Sequence, residues 1–274
     1  MGKPKNPHPT DIVKRTDTQA IHLPHVHLEA VTQVVTKPTP PSPISAIVQA
    51  AATGNISWLW KLLQAFNGDM ADAVAAAASN GHCDCVALLQ SYLINFDAPK
   101  ARQVMREGMA PAAANGHIGI VLFLLKGVAP DDEVDGDAVW IALLEAAANG
   151  FVEILELTAS YVSPRDANFE LNVARAMSNA ISGGFIDVVV FLLTWEKWDA
   201  DFAKTFEKAM ATEQHAVAKK IYEIYSRVKV GGNLLVDMAA RGRLDAVKYL
   251  YDRGCTSKLS STPTPARPRR LSRS

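Results

Sequence analysis

Cysteine is nearly absent from this sequence: three thiols, Cys83, Cys85 and Cys255, among 274 residues. An odd number without paired spacing excludes a disulfide framework and fits a reducing compartment, cytoplasmic or nuclear. Long apolar runs are missing too. The longest, Ile118 to Leu125, is eight residues and includes Gly119, whereas a bilayer-spanning helix needs about 20, so no membrane partner is expected. The opening MGKPKNPHPT is charged and broken by proline, with no apolar core of a secretory signal. Asn6 stands where an N-myristoylation motif beginning at Gly2 requires Ser or Thr. Neither sign of charge is in excess, since 28 Lys and Arg balance 28 Asp and Glu.

That balance hides a division. Residues 46 to 254 carry 18 basic and 25 acidic side chains, net −7, and the two ends together carry +7. An acidic body lacks the clustered Lys and Arg that phosphate binding needs, so nucleic acid is not an expected partner. What the chain does have is apolar residues, 49% of the total, ample for a core. Residues 1 to 20 and 255 to 274 are rich in Pro, Ser, Thr, Lys and Arg and are expected to be disordered tails. Over 21 to 43, Leu28, Val31, Val34 and Val35 predict one short helix, ended by the linker PTPPSP at 38 to 43.

The body, 44 to 254, repeats itself. A small-residue run ending in glycine recurs as AAATGNI at 50, AAASNGHC at 76, AAANGHI at 112, AAANGFV at 146, AISGGFI at 180 and MAARGRL at 238. The glycines, Gly54, Gly81, Gly116, Gly150, Gly184 and Gly242, are spaced by 27, 35, 34, 34 and 58 residues. The last gap is twice 29, and placing Glu213 midway recovers a seventh copy that has lost its glycine. Two, five and eight residues after each glycine lie Ile56, Leu59, Leu62; Cys83, Val86, Leu89; Ile118, Val121, Leu124; Val152, Leu155, Thr158; Ile186, Val189, Leu192; and Leu244, Val247, Leu250. Seventeen of these eighteen are apolar, against about nine expected from composition, and the spacing of three puts them on one helical face.

Upstream, Ile47, Val74, Met109, Leu143, Met177 and Leu235 sit seven before the glycine, and Ala or Ser always sits two before it. Each unit is thus two helices joined at a glycine in the left-handed region. One such pair cannot bury its own faces, but a stack can, so the fold class is all-α, a solenoid of about seven stacked helix-turn-helix repeats. The last helix, Leu244 to Arg253, carries Asp245, Lys248, Asp252 and Arg253, the polar outer face expected of a capping unit.

This pattern resembles the ankyrin repeat, best in AAANGHIGIVLFLLKG (Ala112 to Gly127) and ALLEAAANGFVEILEL (Ala142 to Leu157). The family's Thr-Pro-Leu-His is absent throughout: the matching positions read Ser45-Ala46-Ile47-Val48 in the first unit and Ile141-Ala142-Leu143-Leu144 in the fourth. The hairpins between repeats are therefore expected to be short, loose or missing. The resemblance implies a non-enzymatic scaffold that binds a protein or peptide on the concave face made by the first helices. Carried over position by position, the partner-contacting residues are Asn80, Asn115, Asn149 and Arg241. Trp140 joins them as an exposed anchor, or else belongs to the core.

Other constellations point weakly to chemistry. His22, His25 and His27 form H-x-x-H-x-H, but around a proline that leaves a metal site poorly preorganised. In His82-Cys83-Asp84-Cys85, Cys83 falls in an apolar column and reads as a small buried hydrophobe, with Cys85 off that face. Asp131, Glu133, Asp135 and Gly136 imitate the start of an EF-hand, yet Ala142 occupies the position of the required bidentate Glu. No nucleophile-and-base pair, phosphate-binding loop or paired carboxylate stands out, so no catalytic residue, metal or cofactor is expected. Arg269-Arg270-Leu271-Ser272 resembles the R-R-x-S site of basophilic kinases, which makes Ser272 a phosphorylation candidate. An alternative function follows, in which the basic tail docks on the acidic body and phosphorylation releases it. A second alternative is an F-box-like adaptor for a ubiquitin ligase, from Leu23-Pro24 and the helix after it. A monomer is expected.

Overall fold

The computed structural model describes residues 43–66, 68–95, 98–127, 134–228 and 233–254. The two tails, the helix and histidine cluster before the proline linker, the Leu23-Pro24 segment, Asp131, Glu133 and Ser272 lie outside them. All the described secondary structure is helical, with no strand among the described residues. The hairpins therefore do not form as β-structure within them.

Among the described residues, fourteen of the fifteen helices form pairs that touch: α1 (Pro43–Ala52) with α2 (Ile56–Leu63), α3 (Ala71–Ser79) with α4 (Cys83–Ile94), α6 (Met109–Ala114) with α7 (Ile118–Leu125), and α8 (Gly136–Asn149) with α9 (Val152–Tyr161). After these come α10 (Phe169–Gly183) with α11 (Ile186–Thr194), α12 (Phe202–Ala211) with α13 (His215–Val228), and α14 (Leu234–Ala240) with α15 (Leu244–Asp252). The first helices touch in chain order, α1, α3, α6, α8, α10, α12, α14, and the second helices do so from α2 to α13. The remaining helix, α5 (Ala98–Arg106), precedes α6 and packs on α3, α4 and α6. It was not anticipated. Gly108 separates α5 from α6, and a Cβ there would lie 2.9 Å from Val74 and 3.3 Å from Ala78, so the break in the helix coincides with a close approach to α3.

Each pair turns in the same way. All six repeat glycines have φ between +68° and +84°, and the amide one residue later donates to the carbonyl five residues before it, as in His117 to Ala112 at 2.9 Å. These bonds satisfy carbonyls that the helix end would otherwise leave unpaired. Glu213 takes φ +59° and Gln214 donates to Ala209 at 2.9 Å, so the unit without glycine makes the same turn.

The core is the set of columns, with one correction. Five residues after the turn, Leu59, Val86, Val121, Leu155, Val189 and Ala218 are fully buried. Two residues after it the side chain is never fully buried: Ile56 is 41%, Ile118 39% and Leu244 79% exposed, Cys83 is exposed, and Val152 and Ile186 are half-buried. That position is the first residue of its helix, at the margin of the core, where Val152 and Ile186 still pack against it. The column four after the turn is buried instead, as Cys85, Ile120, Ile154, Val188, Val217 and Ala246. Cys83 is accordingly exposed and Cys85 buried, the reverse of the expectation. Burial, aided by the Asp84 carboxylate, pushes the Cys85 thiol up from its ordinary value. The expected polar cap on α15 is also only half right, because Leu244 and Tyr251 are exposed beside Asp245, Lys248, Asp252 and Arg253.

Candidate binding cleft

Between α10 and α12 lies a cleft of about 460 Å³. Its floor is Met177, Ile181 and Thr205, all buried, and its apolar wall is Ala174, Leu171 and the half-buried Trp198. Glu170, Asp199 and Asp201 stand at one end, where both helices begin, and Lys204 and Lys208 rise one turn apart along α12. Two contacts set this geometry. Trp198 Nε1 donates to Glu170 Oε2 at 3.0 Å, and the Asp201 carboxylate caps α12 by accepting from the Lys204 amide at 3.0 Å. Eight positions before the turn, the five preceding units have Ala46, Ala73, Gly108, Ala142 and Ala176, which let first helices close on one another. In α12 that position is the bulkier Thr205, and it lines the cleft.

The residues chosen from the sequence do not gather here. Asn80 and Asn115 cap α3 and α6, and Asn149 ends α8. All three are exposed, and each carboxamide nitrogen donates to the carbonyl four residues back, Ala76, Pro111 and Glu145, at 2.8 to 2.9 Å. Asn115 also reaches Ser79 Oγ at 3.2 Å, which ties two pairs together. Arg241 comes nearest to the cleft, pairing with Asp201 at 3.6 Å and with Glu207 at 3.5 Å. Trp140 is core, 9% exposed and packed edge-on against Phe169 with ring centres 6.1 Å apart. It is not an exposed anchor.

Elsewhere, Asp135 of the EF-hand-like stretch caps α8, accepting from the amides of Asp137 and Ala138, and it pairs with Arg106. Among the described residues no group of three or more His, Cys, Asp or Glu is placed to hold a metal ion, and no helix is long and apolar enough to cross a membrane. Leu171, Trp198, Lys204 and Lys208 were missed by sequence reasoning. Leu171, Trp198 and Lys204 lie outside the repeating columns, and the only signal was the longer connection holding Trp195, Trp198 and Asp201 before α12. No protein-family model matches the chain, and no curated protein matches it.

Proposed function

We propose that the chain is a non-enzymatic binding scaffold, a solenoid of seven ankyrin-like units whose first-helix face receives a protein or peptide. The serial contacts of the helix pairs, the shared left-handed turn and the buried columns support the repeat reading. The single observation that carries the binding reading is the cleft between α10 and α12. It presents apolar surface to solvent, with Leu171 59% exposed at its lip, under a rim of charged groups. Concave apolar sites with a few placed polar groups are where ligands bind.

Affinity capture with the full chain tests the reading. Wild-type protein retains at least one cellular protein that Leu171→Arg loses, while the far-ultraviolet circular dichroism of the two is the same. Identical capture by both would remove the cleft from the binding surface.

A further inference from the structure

We infer that the cleft between α10 and α12 takes an extended peptide segment in which a bulky apolar side chain stands between one basic and one acidic residue. This deepens the scaffold reading and rests on it. The volume of about 460 Å³ lies within the range of about 300 to 1,000 Å³ typical of ligand sites. It leaves room for one large side chain and the backbone on either side of it. Met177 and Ile181 beneath, with Leu171 and Trp198 at the side, offer that side chain mainly apolar surface, and the Thr205 hydroxyl in the floor is already bonded to the Asp201 carbonyl.

Charge then selects the flanks. The carboxylates of Glu170, Asp199 and Asp201 crowd one end of the cleft, Asp201 shared with Arg241 at 3.6 Å, while Lys204 follows in the first turn of α12 and Lys208 stands one turn further from that end. Neither lysine forms an ion pair among the described residues. From Asp201 to Lys208 is about 10 Å along the helix axis, the span of about three to four residues of extended chain. A basic and an acidic side chain that far apart, on either side of the apolar one, each meet the opposite sign. A segment with two basic flanks sets one of them against Lys204 and Lys208, and a segment with two acidic flanks sets one against the carboxylates. Misplaced charges of this kind are what discriminate between partners.

Fluorescence anisotropy with the full chain and three labelled peptides tests this. The peptides share a central phenylalanine in a Gly-Ser background and carry Arg and Asp, two Arg, or two Asp as flanks. The mixed peptide binds at least about tenfold more tightly than either of the others, a difference of about 1.4 kcal/mol. Lys204→Glu with Lys208→Glu, both at exposed positions, moves the preference to the peptide with two Arg, and Leu171→Arg weakens all three. Equal binding of the three peptides, no binding of the mixed peptide at millimolar concentration, or an unchanged preference in the double variant overturns the inference. If affinity capture still depends on Leu171 when the peptides fail, the scaffold reading stands and only the ligand chemistry falls. Loss of both results removes both.

Discussion

Glu213 does a glycine's work with a side chain attached. Its φ of +59° is the left-handed region, which costs a residue with a Cβ about 1 to 2 kcal/mol. A glycine there would return that strain and lose about 0.5 to 1 kcal/mol to the greater freedom of the unfolded chain. Glu213→Gly is therefore expected to raise the urea midpoint, by a stability gain of up to about 1.5 kcal/mol; a lower midpoint would show that the turn is unstrained. That the turn sits at Glu213 was legible from spacing alone, because one unit's length is dictated by two helices and a turn. Cys83 was misread for a local reason. A period of three places it with Val86 and Leu89, but the first residue of the helix lies at the margin of the core, and the covered positions are those two and three residues further on, Cys85 and Val86. Trp140 was undecidable from its neighbours in sequence, since its burial comes from Phe169, 29 positions away in the next unit.

Between elements, one side chain per unit closes the joint. A Cβ added to Gly54 would meet His82 at 2.6 Å, one on Gly81 would meet His117 at 2.9 Å, and one on Gly116 or Gly150 would meet Phe151 or Phe185 at 2.5 Å. The residue after each turn thus lies over the glycine of the turn before it. His82 and His117 add a hydrogen bond from Nε2 to the carbonyls of Ala52 and Ser79, each 3.0 Å. The phenylalanines fill the same place by packing alone. Both His117→Phe and His117→Ala lose the bond to the Ser79 carbonyl, but Phe keeps a ring over Gly81, so His117→Phe is expected to cost about 1 kcal/mol and His117→Ala, which also opens a gap, about 1 to 3 kcal/mol more. Chemical denaturation of the two variants decides it, and equal losses would mean that the ring's packing is unimportant. This lock was visible in the sequence as GH and GF dipeptides, but only the stacked helices reveal what the ring covers. The cleft was less legible still, since it is a gap between two helices and depends on which positions fail to meet.

At the scale of the whole molecule, the main contacts between helix pairs among the described residues run to neighbours, so cooperation between distant units passes through the pairs in between. α8 is held by α6 on one side and α10 on the other, whereas among the described residues α14 and α15 meet neighbours on one side. The columns register the difference. Three residues before the turn, Ala51, Ala78, Ala113, Ala147 and Ile181 are no more than 1% exposed, yet Ala239 in α14 is exposed. Five residues after the turn, Val247 is only half-buried where its counterparts are fully covered. With Leu244 and Tyr251 also facing water, α14 and α15 bury less apolar surface than any interior pair, and burial is the main term opposing local opening. Native-state hydrogen exchange should therefore rank the helices. Amides of α14 and α15 exchange through the opening of lowest free energy, and those of α8 and α10 are protected to nearly the global value. Equal protection of α14 and α8 would mean that the array unfolds as one unit, and that single interfaces of this kind are strong enough to hold the last pair closed until everything opens.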